Sequence, residues 1–83
     1  MTRSVRTAKQ LGALIREERR RRQLSQQELA NLVGTGQKTI SAVENGNEGA
    51  TLETTFRLLA VLKLEIELSP RALTPGRSIS DVF

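Results

Sequence analysis

Residues 24–46 read LSQQELANLVGTGQKTISAVENG, and this stretch decides the fold. Ser25 and Glu28 are spaced as a capping box, in which each side chain bonds a backbone N–H of the other at the start of a helix. Apolar residues then recur at the spacing of a buried helix face: Leu29, Leu32 and Val33. Gly34 predicts the end of this helix, because glycine readily takes the left-handed backbone of a helix C-terminus.

A second helical pattern runs from Gln37 to Glu44, and the turn dipeptide Asn45-Gly46 ends it. Two helices of about two turns each, joined by a short turn that contains glycine, are a helix-turn-helix. The outward side chains of the second helix are short or polar, and none is acidic. Such side chains can bond base edges in the major groove, so the pattern predicts a DNA-reading helix. An ordinary solvated helix face is the alternative.

The composition favours a binding module over an enzyme. The chain has 83 residues and no cysteine, so one small domain must be stabilised by helix packing or by oligomerisation rather than by disulfides. It has no His, Tyr or Trp, and its nine carboxylates show no paired pattern suited to acid–base chemistry. The formal net charge of +4 favours a polyanionic partner. We therefore predict a protein that is not an enzyme and uses neither a cofactor nor a metal.

The sequence also bears on the compartment. Its apolar runs are too short to span a bilayer, and the basic N-terminus lacks the apolar segment of a signal peptide. We expect a cytoplasmic protein with no membrane partner. An amphipathic membrane-surface helix over residues 7–22 is a weak alternative, because its apolar stripe lacks aromatic anchors.

Residues 63–69 read KLEIELS and change from helical spacing to strict alternation. Leu64, Ile66 and Leu68 share one face, which is typical of a half-buried strand. The chain offers no second strand, and an unpaired strand is not stable. We therefore predict that the strand pairs with its copy in a second subunit as an antiparallel ribbon. Pairing with the sheet edge of a different protein is the alternative.

A run of four arginines, residues 19–22, ends the first helix of the chain. At about 100° per residue, four consecutive side chains cannot share one face of a helix. Basic residues at a helix C-terminus favour the macrodipole, and they can also contact phosphates or an anionic partner. Arg19 differs from the others because it follows Ile15 by four residues and so lies near the buried stripe.

Three segments follow from these patterns. Residues 1–6 are basic and aperiodic, and we expect a flexible arm that reaches a DNA minor groove or contacts nothing. Residues 7–69 are expected to form a helix-turn-helix DNA-binding and dimerisation domain, with further helices capped by Thr7 and Thr51. Residues 70–83 are expected to be a flexible tail, with a short docking peptide at its apolar end as the alternative.

The chain resembles the Cro- and phage-repressor-type (XRE) helix-turn-helix family over residues 9 to 62. The resemblance rests on these residues: Leu11-Gly12, Ile15-Arg16, Arg19, Ser25-Gln26, Leu29-Ala30, Gly34, Ile40-Ser41, Glu44 and Gly46. It implies a mainly α, phage-repressor-like bundle of four to five helices, to which we add one C-terminal β-strand that pairs across a homodimer. It also implies a partly buried ion pair between Arg19 and Glu44, with the structural role of setting the angle of the reading helix.

The same resemblance implies the DNA contacts. It assigns base reading to the positions of Gly36, Gln37, Lys38, Ser41 and Ala42, and a phosphate contact to Gln26. Thr39 and Asn45 are better placed for phosphates than for bases. Gly36 departs from the Ser or Thr that is usual in the family, which removes a side-chain contact but lets the backbone approach the DNA. Because few side chains read bases, we expect DNA shape to contribute to specificity.

Residues 44–68, ENGNEGATLETTFRLLAVLKLEIEL, narrow the resemblance to HipB-type antitoxins. This similarity implies a dimeric autorepressor that binds a palindromic operator in double-stranded DNA. It further implies that the protein neutralises a HipA-like serine/threonine kinase toxin by forming a complex with it.

Two other functions remain open from the sequence. A stand-alone phage-type or restriction-modification controller repressor would bind DNA without a kinase partner, although many simple repressors end in helices rather than in a strand. A protein-interaction module without DNA binding is disfavoured, because the predicted base-reading positions carry no acidic residue.

Overall fold

The computed structural model describes residues 4–71, and within this range the chain forms four helices. Their bounds are α1 Ala8–Arg21, α2 Gln26–Val33, α3 Gln37–Glu44 and α4 Leu52–Val61. The mainly helical prediction is therefore confirmed. In this part of the chain no helix is long and apolar enough to cross a bilayer. Most of the predicted tail, and the first half of the predicted arm, lie outside the described residues.

The core is a single apolar cluster to which all four helices contribute. α3 packs against both α1 and α2, and α2 packs against α4. The buried apolar side chains are Ile15, Leu29, Ala30, Val33, Ile40, Leu58, Leu59 and Leu62. Leu32 does not join them, because its side chain is 60% exposed. At about 100° per residue, Leu32 lies far around α2 from the face that Ala30 and Val33 share, so its predicted place on the buried stripe is wrong.

The helix ends explain how so short a chain turns back on itself. Both halves of the Ser25–Glu28 capping box are present, and Gly34 ends α2 in the left-handed conformation with φ of 86°. α1 and α4 also end in left-handed residues, but these are Gln23, with φ of 58°, and Lys63, with φ of 57°. Left-handed backbone is uncommon in residues other than glycine, so the sequence does not mark these two turns.

Two glycines let α1 and the end of α3 approach at backbone distance. A Cβ atom at Gly12 would lie 2.6 Å from the carbonyl oxygen of Glu44 and closer still to that of Val43. A Cβ atom at Gly46, where φ is 74°, would lie 2.6 Å from the Cα of Lys9. No other residue fits at either position without moving backbone, so the two glycines determine where α3 sits on α1.

The segment predicted as a strand forms no strand in residues 4–71, because a single chain offers it no partner. Leu64 packs partly against the core. Ile66 is 46% exposed and Leu68 is 94% exposed. The strand and its pairing across a homodimer therefore stay predictions. Two apolar side chains of α4, Leu52 and Phe56, are also exposed.

Candidate nucleic-acid interface

The predicted reading helix, α3, presents its polar side chains on one outward face. Gln37 and Lys38 are exposed. Ser41 lies one helical turn after Gln37, and Ala42 lies one helical turn after Lys38, so each pair shares one side of the helix. Gly36 is the N-cap of α3 and supplies no side-chain cap hydrogen bond. Within residues 4–71 the backbone N–H groups of Gln37 and Lys38 donate to no partner and are open to a ligand, whereas the Thr39 N–H donates to the Gly36 carbonyl at 3.1 Å.

The remaining predicted contact residues of α3 and its C-terminal end differ in how exposed they are. Ala42 is half-buried, and the loop after α3 lies close to its side chain, since a Cβ atom at Gly49 would lie 2.8 Å from the Ala42 Cβ. Thr39 is also half-buried. Asn45 is exposed, and its side-chain amide donates to the Ser41 carbonyl at 2.9 Å. The structure thus brings Ser41 and Asn45 together at the C-terminal end of α3.

Hydrogen bonds join Gln26, the predicted phosphate contact, to one predicted base reader, Gln37, and to the buried Glu44. Gln37 Nε2 donates to Gln26 Oε1 at 3.3 Å, and Gln26 Nε2 donates to Glu44 Oε1 at 3.2 Å. Each side-chain amide carries two N–H donors, so Gln37 keeps one donor and its own oxygen free for an adenine edge. Sequence reasoning missed this link, because the partners are eleven and eighteen residues apart and only the packing of α2 on α3 brings them together.

Arg19 and Glu44, predicted as a structural pair, form a buried two-pronged contact. Arg19 Nε donates to Glu44 Oε2 at 2.6 Å, and Arg19 Nη2 donates to Glu44 Oε1 at 3.0 Å. The residues are 7% and 5% exposed. Arg19 also donates to the Leu24 carbonyl at 2.8 Å, which ties the turn before α2 to the pair. The hydrogen bonds with Glu44 raise the pKa of Arg19 above its ordinary value.

The other arginines of the run have different partners. Arg21 and Arg22 both donate to the carboxylate of Glu18 on the outer side of α1. The hydrogen bond from Arg21 is the largest cause that lowers the pKa of Glu18 from 4.5 to about 2. Arg20 is exposed and takes part in neither contact. The run therefore contributes one arginine to the interior, two to a surface ion-pair cluster, and one, Arg20, that forms no ion pair within residues 4–71.

Comparison with known proteins also identifies a helix-turn-helix domain in this chain. A helix-turn-helix domain model matches residues 10–72. Among solved structures, a chain of the HipA-HipB-O2-O3 complex is 32% identical with a TM-score of 0.74, and the match covers 82% of this chain and 96% of that one.

Two further similar proteins have names from other control systems. The restriction-modification controller protein C.AhdI from Aeromonas hydrophila is 31% identical with a TM-score of 0.64, over 70% of this chain and 84% of that one. The ImmF control region 10 kDa protein of Bacillus phage phi105 is 32% identical over 60 residues, which are 72% of this chain and 67% of that protein.

Replacement of Arg19 by alanine should lower the free energy of unfolding by about 3–5 kcal/mol, because it leaves the Glu44 carboxylate buried without its cation. Urea denaturation followed by circular dichroism measures this loss. The matched control is Arg21→Ala, which also removes one arginine from α1 but from an exposed ion pair. Exposed pairs contribute little to stability, so its loss should be much smaller. Equal losses in the two variants would contradict a structural role for Arg19.

Proposed function

Because this chain belongs to the helix-turn-helix domain family of DNA-binding regulators, we propose that it is a sequence-specific transcriptional repressor that reads an operator with α3. Proteins of this kind are typically not enzymes. One observation carries the proposal: α3 is held at its buried C-terminal end by Arg19 and Glu44, while Gln37 and Lys38 stand exposed at its start.

The geometry supports separate roles for the contact residues, some at base edges and others at phosphates. Gln37, Lys38 and Ser41 supply polar groups for base edges, Gly36 allows close approach of the backbone, and Ala42 offers a methyl group. Three further residues are assigned to phosphates: Gln26, Thr39 and Asn45. Gln26 stands in the first turn of α2, where backbone N–H groups also favour an anion. Its hydrogen bond to Gln37 would fix the reading side chain when a phosphate holds Gln26.

We propose that the repressor acts as a homodimer on a palindromic operator. The exposed apolar side chains of the C-terminal segment, Ile66 and Leu68, support this, because they are surface that a monomer leaves uncovered. A two-fold axis through paired strands would repeat α3 in a second copy. In dimeric helix-turn-helix proteins the two reading helices lie about 34 Å apart, one turn of DNA.

We further propose that the protein is the antitoxin of a HipA-like serine/threonine kinase toxin. The support is its similarity to the HipA-HipB-O2-O3 complex chain, which extends over 96% of that chain. The match to C.AhdI covers less of this chain, 70% against 82%. In this function the repressor binds its own operon and neutralises the kinase by complex formation.

A repressor without a kinase partner is the second candidate function. The similarity to C.AhdI, which is named as a restriction-modification controller protein, and to the phage phi105 protein, which is named after a control region, favours it. The two candidates share the reading helix and differ in the second partner, so a kinase experiment separates them.

The DNA-binding proposal is tested with DNA from immediately upstream of the protein's own gene, in titrations at two salt concentrations. The wild-type chain should bind in the nanomolar range with a steep salt dependence. The Gln37→Ala/Lys38→Ala variant should bind the operator no better than random DNA, because each lost base contact costs about 1–3 kcal/mol. The control Asn31→Ala/Arg57→Ala removes one amide and one cation from α2 and α4 and should bind as the wild type. Equal, weak wild-type binding to all DNA would sink the repressor proposal.

Lysine at the two exposed strand positions, Ile66→Lys/Leu68→Lys, should convert the dimer to a monomer in analytical ultracentrifugation. Both side chains are exposed within one chain, so the helical circular dichroism signal should not change. The matched control, Glu65→Lys/Glu67→Lys, places the same residues on the opposite strand face and should remain dimeric. A dimer that survives the first substitution would show that another surface joins the subunits.

Co-expression with a HipA-like kinase encoded beside its gene should relieve the growth arrest that the kinase causes, and the two proteins should co-purify. The Gln37→Ala/Lys38→Ala variant should rescue growth equally well, because kinase neutralisation by complex formation does not need base reading. Arrest that persists with the wild-type chain, or the absence of co-purification, would favour the repressor without a kinase partner.

A further inference from the structure

We propose that α1 makes a second contact with the DNA backbone through Lys9, Arg16 and Arg20, in a groove beside the C-terminal end of α3. The proposal rests on the proposed DNA-binding function and adds a binding surface to it. The residues assigned to DNA above all belong to α2, α3 and the turns that flank α3. The α1 groove would extend the protein's footprint along the phosphates.

The α1 groove is an open depression of about 450 Å³. It is lined by Lys9, Ala13, Arg16, Glu17 and Arg20 of α1, and by Glu44 and Asn45 at the end of α3. The α1 residues recur at intervals of three and four, so they form one face of that helix. The small Ala13 lies between Lys9 and Arg16 in this row and leaves the floor of the groove open.

The charges of the α1 groove are unbalanced in favour of cations. Within residues 4–71, Lys9, Arg16 and Arg20 form no ion pair, whereas Arg19, Arg21 and Arg22 each have a carboxylate partner. Of the two carboxylates in the lining, Glu44 is buried and already paired with Arg19. Glu17 has an interaction of its own. Three exposed cations are therefore available to an anionic partner.

The position of the α1 groove favours DNA over an acidic protein as that partner. Asn45 lines the groove and is also one of the residues assigned to phosphates. Lys9, at one end of the cation row, packs against Gly46, the residue that follows Asn45. The groove thus begins where the predicted DNA face ends. Lys9 and Arg20 are eleven residues apart, a rise of about 16 Å along the helix, so the three cations can reach different phosphates of a strand.

The test uses the full-length chain and the variant Lys9→Gln/Arg16→Gln/Arg20→Gln. Its readout is the slope of log binding constant against log salt concentration, on operator DNA and on random DNA. Each phosphate contact contributes about 0.9 to that slope, so the variant should lower its magnitude by up to about 2.7 per protomer. Affinity should fall in parallel on both DNAs, because phosphate contacts carry no base preference.

The matched control is Arg57→Gln/Lys63→Gln/Arg71→Gln, which removes the same charge from exposed positions outside the α1 groove. It should keep the wild-type slope, and the circular dichroism of both variants should match that of the wild type. If the groove variant keeps the wild-type slope, or if the control lowers it equally, the DNA contact is overturned. A groove variant that keeps its slope but no longer co-purifies with a kinase partner would assign the cations to an acidic protein surface instead.

The failure of this inference can be told from the failure of the proposed function. If the wild type shows no preference for operator DNA, the repressor proposal fails, but a lowered slope on random DNA still supports the α1 groove. If the wild type prefers its operator and the groove variant keeps the full slope, the repressor stands and the α1 groove is not a DNA contact.

Discussion

The buried carboxylate of Glu44 is the constraint on which the helix-turn-helix depends. A carboxylate at a helix C-terminus is unfavourable both for the macrodipole and for burial. Arg19 offsets both effects with two hydrogen bonds, and Gln26 adds a third. Since Arg19 also holds the carbonyl of Leu24, this one cluster joins α1, the turn before α2, α2 and α3. This charged cluster, together with the apolar core and the close approach at Gly12 and Gly46, therefore sets the arrangement of the helices behind the proposed reading face.

This arrangement divides the basic residues of the chain by role. Arg19 is used inside the protein, and Arg21 and Arg22 are held by Glu18. Only the cations outside such pairs can contribute their full charge to the attraction of DNA. The formal net charge of +4 is thus a poor guide to the DNA-facing charge. Within residues 4–71, the cations outside these pairs include Lys38 and, along one side of α1, Lys9, Arg16 and Arg20.

Local signals predicted most of the fold, and contacts between distant residues account for what they missed. The bounds of α3 and the capping box of α2 follow from residues within a few positions of each other, and both were predicted correctly. The left-handed turns at Gln23 and Lys63 were not, because neither residue type has a preference for that backbone. The resemblance suggested Arg19 and Glu44 as partners, but the hydrogen bonds through Gln26 appear only in the structure. The C-terminal segment can pair as a strand only with a second chain. Its pairing is therefore a prediction from the sequence that the structure of one chain does not test.

The contact of Gly12 and Gly46 with the facing backbone bears on how this protein can change over evolution. No side chain fits between α1 and the end of α3, so α3 can neither rotate nor slide without the loss of both contacts. If α3 reads the operator as proposed, a change of operator preference would come from the exchange of side chains on a stationary helix. The outer face of α3 has room for other side chains, whereas Gly12 and Gly46 have none. The packing of α1 against α3 could then be inherited unchanged while the DNA sequence read in the proposed function diverges.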